Sequence, residues 1–262
     1  MVAPDRTGHL EQGAPVVTHA TGEASLSTSA GPIKLSLAPD FDLSIDGRRI
    51  MLPRSLERLL AYLALSDRPV ERSKLAGVLW LDSPGTRAAS NLRTTLWRLG
   101  RVGARTVQVL EDRIALSPEV AVDVPDLSEA ALRLIESPDA EALDRVRDLV
   151  NSTELLPDWD EDWIATDRER FRMLRLQALD RAAEALIERG ETVRGLEAAL
   201  AAVATDPLRE SARRLLVQIH LIQGNLGEAF RAYEEYRRLL SEELGLDPSP
   251  EMEALVRLSA AR

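Results

Sequence analysis

Two hydrophobic periods run along the chain, and the change between them organises it. Residues 33–37 read as a strand. Residues 43–52 read as two short strands around Asp46-Gly47, a dipeptide suited to a tight hairpin turn. The spacing then becomes helical. Leu56, Leu59, Leu60 and Leu63 predict a helix over 54–65, and Leu75, Val78 and Leu79 a second over 71–80. Pro69 and Pro84-Gly85 separate these from a third helix over 86–99, which Gly100 and Gly103 are expected to stop. Residues 107–110 and 113–116 flank Glu111-Asp112 as a second hairpin, one lacking the favoured glycine. Strands, three helices and a hairpin form an α+β winged helix-turn-helix, expected over 33–118.

Residues 119–125, at the prolines 118 and 125, are expected as a linker. From 126 to 262 nearly every segment has helical spacing: 127–136, 140–150, 162–189, 191–203, 208–223, 226–245 and a last helix from Pro250. Gly190 and Gly224 lie 34 residues apart, each between two amphipathic helices. Small residues follow at matching places, Gly195 and Ala229, where helices are expected to approach closely, and Pro207 ends the first unit. The second half is thus expected as an all-α, TPR-like domain of stacked helix pairs. Residues 1–32, rich in Gly, Ala, Ser, Thr and Pro, are expected as a disordered N-terminal tail.

Charge changes the picture where the average hides it. The whole chain is at −10. Residues 33–118 hold 14 Lys and Arg against 9 Asp and Glu, a net +5, whereas 119–262 hold 18 against 31, a net −13. A basic first half attracts phosphate, and an acidic second half is held away from it. The absence of cysteine excludes disulfides, thiolate metal sites and thiol catalysis. No apolar run approaches a membrane span, and the first residues do not read as an export signal, so a cytoplasmic protein is expected.

The candidate chemistry is in the third helix. At 100° per residue, Leu92, Leu96 and Leu99 fall on one face, flanked by Ala88 and Ala89. Arg87, Ser90, Thr94, Trp97, Arg98 and Arg101 fall opposite, with Arg93 at the flank, and no acid occurs between Thr86 and Arg105. An apolar floor beneath an Arg-and-hydroxyl roof suits the major groove, because guanidinium forks bind phosphate or the guanine O6/N7 edge. An isolated arginine-rich helix is more often a solvated face; its place as third helix before a hairpin is what favours DNA. Trp97 is expected to pack against the wing or the second domain in preference to touching DNA. Arg72 and Lys74 open the second helix and Arg113 sits on the wing, all three expected as backbone contacts.

Together these features resemble the antibiotic regulatory protein (SARP) type of transcriptional activator: an OmpR-like winged helix followed by a bacterial transcriptional activator domain (BTAD). The resemblance rests on Leu59-Leu60-Ala61, Arg68-Pro69-Val70, Leu79-Trp80 and Asn91-Leu92 through Arg98-Leu99 in the first half. In the second it rests on Leu155-Leu156-Pro157-Asp158-Trp159, Trp163, Glu169-Arg170, Asp206 through Glu210, and Glu243 through Pro250. It implies binding to promoter direct repeats, a homodimer on DNA and recruitment of RNA polymerase holoenzyme. Two departures stand out: Gly100 replaces a common arginine, and Arg113-Ile114-Ala115 replaces the usual Gly-Tyr-Arg run of the wing. The alternative is a TPR-like adaptor whose winged helix does not bind DNA. An enzyme is not expected, nor is a cofactor or metal: His9, His19 and His220 do not cluster, and the acids at Asp158, Asp160, Glu161 and Asp162 are expected to cap the helix after them.

Overall fold

The computed structural model describes residues 31–102 and 105–260; all but the last two residues of the expected tail lie outside them. The first strand, β1 (Ile33–Ser36), alternates as a half-buried strand should, with Ile33 and Leu35 inward and Lys34 exposed. β2 (Asp42–Ile45) and β3 (Arg48–Arg49) form the first hairpin, with positive φ at both Asp46 and Gly47, as a tight mirror-image turn requires. Helices α1 (Arg54–Ala64), α2 (Arg72–Leu79) and α3 (Gly85–Val102) follow, with the two-residue β4 (Val70–Glu71) before α2. The wing is β5 (Val107–Leu110) and β6 (Arg113–Leu116), turning on Glu111 and Asp112, and β4 completes a three-stranded sheet in the order β4-β6-β5. Leu56, Leu59, Leu60, Leu75, Leu79, Leu99 and Ile114 are the fully buried centre of this half.

Residues 119–125 hold structure of their own. β7 (Val120–Val122) runs parallel to β1 and closes a four-stranded sheet ordered β3-β2-β1-β7. Helix α4 (Asp123–Glu136) starts at the next residue. The Asp123 carboxylate accepts the amides of Leu37 and Ala38 at 2.9 and 3.1 Å and the Ser36 hydroxyl at 2.6 Å. Strand, turn and helix are thus pinned at one point.

The expected helix over 140–150 is broken at Arg145 into α5 (Ala140–Asp144) and α6 (Val146–Asn151). A single 3-10 turn (Asp162–Ile164) leads into the long α7 (Ala165–Glu188), followed by α8 (Thr192–Thr205), α9 (Glu210–Ile222), α10 (Leu226–Leu244) and α11 (Pro250–Ala260). Gly190 and Gly224 both take positive φ, +77° and +74°, and the residue after each donates to the carbonyl five back, Leu186 and His220. The same helix end recurs at the 34-residue interval. Gly195 and Ala229 are buried, and a methyl group on Gly195 would stand 3.5 Å from the Ala183 carbonyl, ordinary contact. The fold is a winged helix followed by TPR-like helix pairs.

The two halves share one contiguous core. Beside the Asp123 junction, the loop carrying Leu155 to Trp163 reaches back to the winged helix. Leu156 donates to the Leu37 carbonyl, and Trp159 stacks on Phe41 with ring centres 5.9 Å apart. The Arg54 guanidinium lies 3.6 Å from the Trp159 ring centre, and Tyr62 meets Trp163 edge-on at 5.2 Å. Glu161 accepts from an Nη of Arg58 at 2.8 Å and from the Trp163 indole at 2.9 Å. Glu161 therefore bridges the halves; it flanks the 3-10 turn without a side-chain capping bond. Arg168 holds the loop from below, donating to the carbonyls of Leu155, Leu156 and Trp159.

Candidate nucleic-acid interface

The floor of α3 is Ala88, Leu92, Thr95 and Leu99, all buried. Thr95 takes the place expected of Leu96, which is only half-buried, so the inward stripe is rotated from the expected one. Ala89, expected as a flank, is exposed. The helix also passes through Gly100 to Val102 rather than stopping at Leu99.

On the outer face Arg87, Ser90, Arg93, Thr94, Trp97, Arg98 and Arg101 are all exposed. Arg87, Arg93, Arg98 and Arg101 have no acidic partner among the described residues. That is unusual in a chain whose other arginines are so often paired. Thr94 donates back to the Ser90 carbonyl at 3.0 Å, which leaves its hydroxyl oxygen still able to accept. Trp97 differs from its expectation of packing: it is 62% exposed and lies beside Arg101, whose guanidinium is 5.2 Å from its ring centre. Its flat apolar face thus belongs to the same surface as the four arginines.

The other three candidate residues gather elsewhere. The Arg72 amide donates to the Asp112 carbonyl at 2.9 Å, tying the start of α2 to the wing turn; its side chain is half-buried with an unpartnered Nε. Lys74 is exposed and lines a cleft of about 420 Å³ with Arg68, Glu71 and Arg113. Arg113 is paired with Glu71 at 3.2 Å, both side chains half exposed. At the wing, Val109 and Leu110 are exposed beside Glu111 and Asp112, an apolar and acidic tip. Among the candidate residues, the cations without acidic partners are therefore mostly on α3.

Among the described residues no cluster of three or more His, Cys, Asp or Glu side chains is arranged to hold a metal, and no helix is long and apolar enough to cross a membrane.

Comparison with known proteins bears on the family and the fold. The family model described as "Bacterial transcriptional activator domain" matches residues 125–257. Regulatory protein AfsR of Streptomyces coelicolor is 30% identical over 219 residues, covering 78% of this chain and 21% of its own length. Regulatory protein AfsR of Streptomyces griseus is 29% identical over 219 residues, covering 78% and 22%. The chain thus spans about a fifth of the length of these curated relatives. Mycobacterium tuberculosis EmbR, solved in complex with a low-affinity phosphopeptide, superposes with a TM-score of 0.68 at 21% identity, covering 88% of this chain and 65% of its own. That likeness concerns the fold and extends across both halves. With the family model spanning half of its length, the chain belongs to the bacterial transcriptional activator domain family.

Proposed function

We propose that this chain is a sequence-specific DNA-binding transcriptional activator that docks α3 in the major groove of promoter direct repeats and recruits RNA polymerase holoenzyme. One observation carries the reading: four exposed arginines without acidic partners stand over the buried Leu92–Leu99 floor of an acid-free helix. Arg87, Ser90, Arg93, Thr94, Arg98 and Arg101 are the groove-facing set, with Trp97 beside them against sugar or a thymine methyl. Arg72 and Lys74, at the start of α2, and Arg113 on the wing serve the phosphate backbone. The Arg113–Glu71 pair would open or share its cation when phosphate arrives. The acidic helical half stays off the duplex and supplies the surface for a second copy and for polymerase. The chain acts in the cytoplasm, as a binder and not as a catalyst.

Genome-wide capture of DNA by the purified full chain, followed by titration of the recovered sites at several salt concentrations, is the test. The expected result is a repeated motif and an affinity that falls steeply as salt rises, because bound cations leave the duplex. Capture without sequence enrichment, or affinity indifferent to salt, would sink the reading and leave a protein-binding adaptor.

A further inference from the structure

Arg175, in the middle of α7, is 1% exposed, yet no carboxylate reaches it. Its Nε donates to the Leu149 carbonyl at 2.7 Å, one Nη to the Val150 carbonyl at 3.3 Å, and the other to the Thr205 hydroxyl at 2.5 Å. All three acceptors are neutral. They belong to the last turns of α6 and α8, whose dipoles offer partial negative charge at that end. A guanidinium has five N–H donors, so two of its five are left without a protein acceptor. Burial pushes its pKa down to about 10, the mark of a cation held out of water without full compensation.

Arg175 is among the residues that line a cavity of about 740 Å³ bounded by α6, α7 and α8. The volume is within the usual range of small-molecule sites. Val150, Leu200, Ala201 and Ala204 give the cavity an apolar side, and Leu200 is 48% exposed for so large an apolar residue. Arg147 adds an exposed cation with no acidic partner among the described residues. The other charges of the wall are Arg172, shared between Glu169 and Asp206; Glu154, engaged by Arg168; and Glu197, exposed. A cationic pole facing an apolar wall stands out in a half of the chain that carries −13.

We propose that this cavity binds a small amphipathic carboxylate, its anionic end on the free N–H groups of Arg175 with Arg147 nearby, and its hydrocarbon body along Val150, Leu200, Ala201 and Ala204. A carboxylate matches the planar fork of a guanidinium and supplies the charge that the neutral acceptors lack. The site is on the face of α7 shared with α6 and α8, and it does not depend on the DNA-binding reading.

The test is calorimetric titration of the full chain, with parallel thermal melting, against acetate, octanoate and 1-naphthaleneacetate. 1-Octanol and 2-(1-naphthyl)ethanol serve as uncharged counterparts. The expected result is saturable binding and a raised melting temperature with octanoate or naphthaleneacetate, and neither with acetate nor with the alcohols. Ala204→Phe fills the cavity from an exposed position without touching the guanidinium, and is expected to abolish the binding while leaving the ligand-free melt unchanged. Arg175→Lys keeps a cation but loses the fork and should lose binding too; if that variant fails to fold, Ala204→Phe decides. Absence of binding by both acids, equal binding by an alcohol, or undiminished binding to Ala204→Phe would each overturn the proposal.

Discussion

Gly100 is inside α3 on its exposed side, and a methyl group there would meet nothing within 4 Å. Glycine in a helix interior costs ~1 kcal/mol relative to alanine, so Gly100→Ala should stabilise the chain by about that much in urea denaturation. Gly100→Arg should add a cation to the surface and steepen the salt dependence of DNA binding by up to about one phosphate's worth. On the same helix, Arg87→Ala and Arg98→Ala should each weaken operator binding by ~1–3 kcal/mol if the side chain reads a base, with circular dichroism unchanged. Unaltered affinity in both would remove α3 from the reading role. The floor makes a contrasting prediction. Leu92→Ala should cost ~2–5 kcal/mol, whereas Leu96→Ala, half-buried, should fall below that range. The basic face was legible because it needs only spacing. The exact inward residue was not: a threonine and a leucine lie 100° apart, and which one turns inward is decided by packing against α1 and α2.

The elements easiest to foresee were those governed by local rules. Asp46-Gly47 forms its hairpin turn, and Gly190 and Gly224 end their helices alike, because backbone conformation decides both. β7 was hidden, since a three-residue strand beside prolines reads as a linker and its partner β1 lies far upstream. Arg175 was hidden for the same reason: an arginine on a long helix looks like a solvated one until α6 and α8 close over it. Asp123→Ala tests the junction, because it strands the amides of Leu37 and Ala38; a loss of about 1–3 kcal/mol in urea denaturation is expected. Glu210 tests the far end. Burial would raise its carboxyl pKa, but hydrogen bonds from Ser249 and Tyr236 outweigh that and hold it below the ordinary glutamate value. Its contribution to stability is therefore present above the ordinary glutamate range and lost as pH falls through the lowered value. Glu210→Gln should flatten that part of the acid unfolding profile.

At the scale of the whole molecule, the division of charge predicts a division of labour. The full chain should bind a two-site duplex more tightly than a one-site duplex, because the second winged helix binds at high effective concentration once the first is seated. Equal affinities in a titration of both duplexes would remove association from the helical half. The order of the two halves and their charge could be read from residue types alone. Their attachment could not, because it depends on Trp159, Glu161 and Trp163 meeting Phe41, Arg58 and Tyr62, contacts that only the folded chain brings together.

The strand-to-helix join at residues 122 and 123 also bears on how members of this family can be recombined. A crossover placed at 118, where the composition invites it, would transfer the winged-helix half without its own β7, so that β1 would have to pair with the strand of the other parent. A serviceable chimera has to carry the donor's sequence through Asp123 and keep an indole at 159 that suits the new Phe41 and Arg54 neighbours. In calorimetry the natural chain should then give one endotherm whose calorimetric and van't Hoff enthalpies agree, and the chimera cut at 118 should give two.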